Sequence, residues 1–206
     1  MPAQHESKQH ESKARLLDAA LRLIRTKGYE ATSVDEVCES ARLTKGSFFH
    51  HFDSKEELAV AAAQRFGEKA EGLFSQAAYH ANADPLERLL GYIELRRSLL
   101  KGELPEFTCL LGTMVQETYA THPSIRKACD RHISGHAARL EADIAEAKRR
   151  HAPRARWSAE SLALFTQAVI QGAFILAKAK QGPEVADDCL AHLERYLELL
   201  FYQHTE

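Results

Sequence analysis

The stretch SVDEVCESARLTKGSFFHHFDSKEEL, residues 33–58, decides how this chain is read. Ser33 with Glu36 and Ser54 with Glu57 have the spacing of capping boxes, in which a hydroxyl and a carboxylate close each other's orphan helix donors. Thr44 can cap a third, short helix over Lys45 to Phe52. Two short helices are thus joined by the tight Ala41-Arg42-Leu43-Thr44 connection, which is helix-turn-helix spacing. The second helix carries Lys45, Ser47, His50 and His51 as hydrogen-bond donors, Gly46 for close backbone approach, and Arg42 and Lys55 at its flanks. Asp53 is the only acid between 42 and 55, so this segment is +2 inside a chain of net charge −2.

Outward from that segment the chain reads as helix throughout. Alanine (32) and leucine (25) outnumber valine plus isoleucine (13) more than fourfold in 206 residues, which leaves a β-sheet poorly supplied. Leu17, Ala20, Leu21 and Ile24 give an amphipathic first helix stopped by Gly28, and Leu58 to about Tyr79 runs on without a proline. Starts at Asp84-Pro85, Pro105, Pro123, Ser158 and Gly182-Pro183 bring the expected total to about nine helices. The QHESK sequence at 4–8 recurs at 9–13 without an apolar face, so 1–13 is expected to be a flexible arm. Four cysteines at 38, 109, 129 and 189 have no C-x-x-C spacing and read as reduced thiols. The opening residues lack an apolar signal core, which predicts a cytoplasmic protein. Ser161 to Ala177 has no charge, but Ser161, Thr166, Gln167 and Gln171 would need partners in lipid, so it reads as a buried helix and no membrane is expected.

The run from Ala14 to Ala63, with DAA in its first helix, then GYEATSV, then KGSFFHHFDSKEEL, resembles the N-terminal domain of the TetR family of one-component transcriptional regulators. The resemblance implies an all-α homodimer with a three-helix DNA-binding domain at 14–58 and a helical ligand-binding and dimerisation domain at 59–206. Carried over by position, it implies a phosphate contact at Ser33, a recognition surface of Thr44, Lys45, Gly46, Ser47, Phe49, His50 and His51, and a phosphate contact at Lys55. The family often has tyrosine where this chain has Phe49, so only van der Waals contact to sugar or a thymine methyl is expected there. The function implied is repression of a pseudo-palindromic double-stranded operator, relieved by a small-molecule effector.

Other constellations are weaker. Cys129, His132 and His136 fall at i, i+3, i+7 and could ligate a metal, but they edge the stripe Ile125, Ile133, Leu140, Ile144 and read better as a pocket rim. No nucleophile-base pairing, phosphate loop or dinucleotide fingerprint is present, so neither an enzyme nor a cofactor is expected. Cys109, Thr113 and Gln116 form a small, polar stripe that leaves room for an effector, with Tyr92, Cys129, His132, His136, Trp157 and Phe165 as its other walls. A dimer interface is expected from Leu162, Phe165 and Val169 of one helix and Leu190, Leu193, Leu197 and Leu200 of the last. Two alternatives remain open at this point: a thiol sensor acting through Cys109, and a helical small-molecule carrier without DNA binding.

Overall fold

Helix α1 runs from Pro2 to Lys27 and presents Leu16, Leu17, Ala20, Leu21 and Ile24 to the interior, the face its 3.6-residue periodicity requires. It ends at Gly28, whose φ of +92° is left-handed backbone that favours glycine. A computed structural model describes residues 2–202 of the chain, and the side chains of 9–201. Beyond α1 its elements are α2 (Val34–Ala41), α3 (Lys45–His51), α4 (Lys55–Ser75), a 3₁₀ turn (Ala78–Ala81), α5 (Pro85–Ser98), α6 (Leu104–Phe107), α7 (Leu110–Thr118), α8 (Pro123–His151), α9 (Ala159–Lys180) and α10 (Glu184–Tyr202). Among the described residues there are ten α-helices and no strand.

The described residues of Met1–Ala70 and Cys109–His132 form one compact unit, and those of Glu71–Thr108 and Ile133–Glu206 form another. In the first, Val37, Cys38 and Ala41 of α2, Phe48 of α3, Phe52, and Leu58, Ala59 and Ala62 of α4 close the core begun by α1. Glu117 of α7 accepts the backbone N–H of Glu30 at 2.9 Å, and Tyr29 meets the His122 ring edge-on with centroids 5.1 Å apart. In the second, Leu86, Leu89 and Ile93 of α5 and Leu140 and Ile144 of α8 are buried, and α9 and α5 both lie along α10. Arg97 binds Asp187 and Glu194, while Arg88 binds Asp143 and Glu146, so α5 is tied to α10 and to α8 by bidentate arginines.

Three expectations change. The segment 1–13 is helical from Pro2 onward, and Gln9 and Ser12 anchor it by bonding the His50 and His51 rings of α3. Helix after Pro105 is broken: α6 closes at Thr108, whose backbone is extended, and Cys109 is the N-cap of a separate α7. Leu162, Leu190, Leu193 and Leu197, expected at a dimer interface, are buried within the chain itself, where α9 and α10 pair. Periodicity shows that a helix has two apolar faces but not which one its own chain covers.

Candidate DNA-binding surface and effector site

Ser33 accepts the N–H of Glu36 and Glu36 accepts that of Ser33, so α2 starts from a complete capping box. At its other end Arg42 turns the chain with φ 54°, and its N–H bonds Cys38 and Glu39 carbonyls. Thr44 then caps α3 by accepting from the N–H of Ser47 at 3.2 Å. Two buried rings, Phe48 and Phe52, hold α3 to the unit, with centroids 5.7 Å apart. That leaves Thr44, Lys45, Gly46, Phe49 and His50 exposed on the outer side, with Ser47 and His51 half-buried. Phe49 is 57% exposed, an apolar side chain on a polar rim, meeting the Phe48 ring edge-on at 5.2 Å between centroids.

Both lysines of this surface already have partners. The Lys45 ammonium meets the Asp35 carboxylate of α2 at 2.7 Å, and that contact raises its pKa. Both side chains are more than half exposed, so the pair is readily exchanged. Lys55 donates to the Tyr29 carbonyl at 3.1 Å and lies 4.2 Å from the Tyr29 ring centroid, contacts it would have to leave to reach a phosphate. Gln9 donates to His50 Nε2 at 3.1 Å, Ser12 donates to the Gln9 carbonyl, and His51 Nε2–H donates to Ser12 at 2.6 Å. Burial, with His50 and Lys13 nearby, lowers the pKa of His51.

The expected effector residues separate into different places. In the second unit Tyr92 and His136 come together: the Tyr92 hydroxyl donates to His136 Nε2 at 2.9 Å. Sequence reading missed their companions. Arg96 Nε donates to the Tyr92 oxygen at 2.8 Å, its Nη2 donates to His136 Nε2 at 3.0 Å, and Gln167 Nε2 donates to the Tyr92 oxygen at 3.2 Å. Phe74 roofs the group, 5.5 Å from Tyr92 and 4.9 Å from His136 between centroids. With two donors aimed at its Nε2, the imidazole is the neutral Nδ1–H tautomer, and burial first, then Arg96 and Arg139, push its pKa down to about 3. The i+4 spacing of Tyr92 and Arg96 was visible in the sequence, but nothing there tied it to His136 or Gln167.

Trp157 lies elsewhere in that unit, edge-on to Phe201 at 5.2 Å, and Phe165 packs on Tyr196 at 5.2 Å while 44% exposed. In the first unit, Thr113 bonds the Cys109 carbonyl at 3.0 Å and Gln116 the Gly112 carbonyl at 2.8 Å, so both direct polar atoms back to their own helix. His132 donates to Gln64 at 3.0 Å and rests against Gly67, where a Cβ would collide with its ring. Cys129 is buried, and burial followed by the neighbouring Cys109 pushes its thiol up to about 12. Cys109 itself is half-buried. Among the described residues no three metal-ligating side chains converge.

The exposed apolar residues of α9 are Leu164, Phe165, Ile175 and Leu176, joined by Tyr196 and Leu199 of α10. By length and composition α9 could cross a membrane, but its opposite face, from Leu162 through Ile170 to Ala177, is buried in the unit.

Residues 16–62 match the family described as bacterial regulatory proteins, tetR family, and 85–193 match the tetracyclin repressor-like C-terminal domain. The transcriptional regulator AcuR of Cereibacter sphaeroides is 30% identical over 113 residues, 55% of this chain and 52% of its own length. The HTH-type transcriptional repressor DhaR of Mycobacterium sp. is 25% identical over 175 residues, 85% of this chain and 86% of its own. A TetR-family regulator from Agrobacterium tumefaciens has the same fold, with a TM-score of 0.81 at 19% identity over 91% of this chain and 98% of the other.

Proposed function

We propose that this chain, a DNA-binding transcriptional regulator that belongs to the TetR family, is a cytoplasmic repressor that grips a pseudo-palindromic operator as a homodimer and is released by a small-molecule effector. The observation that carries the DNA contact is the outer side of α3, where Lys45, Gly46, Phe49 and His50 stand exposed on a helix fixed from behind by Phe48 and Phe52. Lys45, Ser47, His50 and His51 are the base-edge and backbone donors, Phe49 supplies apolar contact, Thr44 and Gly46 permit close approach, and Ser33 and Lys55 are phosphate contacts. The reading head is 14–58, extended by 1–13 where α1 reaches α3, and 59–206 serve effector binding and dimerisation.

The second copy docks on the exposed face of α9 and α10, through Leu164, Phe165, Ile175, Leu176, Tyr196 and Leu199, with Val169 and Leu200 beside them. An apolar surface of this kind on two adjacent helices favours a partner of the same character, and two-fold pairing would set the α3 helices about 34–36 Å apart for half-sites one turn apart. The effector acts by preferring the state whose spacing no longer fits. The Tyr92-His136-Arg96-Gln167 group supports an effector site in the second unit, since polar side chains concentrated in an apolar core are costly without a role.

Fluorescence anisotropy with the DNA flanking the gene tests the reading. Lys55→Ala should weaken binding on every sequence and flatten the salt dependence by about one charge, whereas Lys45→Ala should relax preference at one base position by about 1–3 kcal/mol. No change with either substitution overturns the assignment of the DNA surface.

A further inference from the structure

Arg96 and Arg97 are neighbours on α5 with opposite surroundings. Arg97 meets Asp187 at 2.7 and 3.1 Å and Glu194 at 3.0 Å, and Arg88, two turns earlier, meets Asp143 and Glu146. Arg96 makes no ion pair among the described residues. Its Nε–H goes to a phenol oxygen, one Nη2–H goes to a neutral imidazole, and its face lies 4.2 Å from the Phe74 centroid. Two of five N–H donors are engaged in this way, and among the described residues the Nη1 pair finds no acceptor. Nη1 is nevertheless not one of the buried orphaned nitrogens, so the free edge of this half-buried guanidinium faces accessible space.

A positive charge among aromatic faces and neutral dipoles gains more from a counter-charge than one in water, and a planar fork with free parallel donors fits a carboxylate. The rest of the cluster is built to hold that fork still. Tyr92 is fully buried and fixes Nε, Gln167 holds the Tyr92 oxygen from α9, and His136 fixes Nη2 from α8. Every lone pair that could have been offered to Arg96 by an acid is offered instead by an uncharged group, which leaves the anion to come from outside.

We infer that Arg96 is the anchor of an organic-acid site, in which the oxygens of a small carboxylate take the free Nη edge of Arg96. This rests on the effector reading of the Tyr92 cluster and names the chemical class that it recognises. It also distinguishes this site from a wholly apolar pocket, in which the charge of the ligand would weaken binding.

The test uses the full chain and matched pairs that differ only in charge: benzoate and benzamide, 3-phenylpropionate and its amide, octanoate and octanamide, followed by calorimetry and by thermal shift. At least one acid should bind, with its amide weaker by roughly tenfold or more. Arg96→Gln should abolish acid binding, and Arg96→Lys, which keeps the charge but not the fork, should weaken it several-fold. If Arg96→Gln fails to fold, the lysine variant alone decides. An amide bound as tightly as its acid, acid binding unaffected by either variant, or no acid bound by the wild type overturns the inference. An acid that binds through Arg96 but leaves the DNA complex intact sinks the effector reading and not this one.

Discussion

Acidification should destabilise this protein through one imidazole. His136 accepts hydrogen bonds from Tyr92 and Arg96 at the same nitrogen, so a proton there would face two donors, one of them cationic. Its pKa falls from 6.5 to about 3 in the folded chain. Between those values the unfolded chain binds a proton that the folded chain refuses, so stability is complete above about pH 6.5 and declines as pH falls. At pH 5 the unfolded imidazole lies about 1.5 pH units below its pKa, which at 1.36 kcal/mol per unit is about 2 kcal/mol; incomplete burial reduces this to about 1–2. For a chain of this size the loss is roughly 2–8 °C in Tm. His136→Gln offers an amide oxygen to the same donors and cannot titrate. Thermal unfolding of both proteins at pH 7.5 and pH 5.0, at one ionic strength and one protein concentration, isolates the effect. His51, also depressed, contributes equally to both, and Asp84, held down by hydrogen bonds from His151 and the Leu86 N–H, and Asp187 and Glu146, held down by Arg97 and Arg88, act at lower pH. An identical drop in wild type and variant would refute the assignment of a neutral, buried His136.

Leu164→Glu with Ile175→Glu should give monomers in sedimentation velocity that keep their helical circular dichroism and lose DNA affinity; an unchanged dimer would place the interface elsewhere. Asp35→Asn removes the carboxylate that holds Lys45 and should strengthen operator binding up to about fivefold, the scale of an exposed ion pair, as read by anisotropy at low salt. Gly28→Ala puts a Cβ at φ +92° against the Glu117 carboxylate and should cost about 2 kcal/mol or more in urea unfolding, where a loss under 0.5 kcal/mol would show that the turn relaxes. In thiol labelling of the native protein, Cys129 should react far more slowly than Cys109, since burial holds it as a thiol at neutral pH.

What the sequence revealed and what it hid divide along the range of the interaction. Caps act over three or four residues, so Ser33 with Glu36, Thr44, Asp84 and Ser158 could be located by spacing, and each is bonded as its spacing predicts. The helix-turn-helix is a string of such local signals and was legible for that reason. Its partners were not: Asp35 beside Lys45, Tyr29 beneath Lys55, and Gln9 and Ser12 against the two histidines are chosen by packing between helices. The same limit reversed the assignment of α10, because an apolar stripe of Leu190, Leu193 and Leu197 reads alike whether α9 of its own chain or a second subunit covers it. Arg96 is the sharpest case. A sequence shows two adjacent arginines of equal charge, and only the fold separates the one neutralised by Asp187 and Glu194 from the one left facing Tyr92, His136 and Phe74. A local motif therefore pointed to the DNA contacts proposed for this chain. The proposed organic-acid site depends instead on a charge with no ion pair among the described residues, set against partners 40 to 75 residues away in the chain.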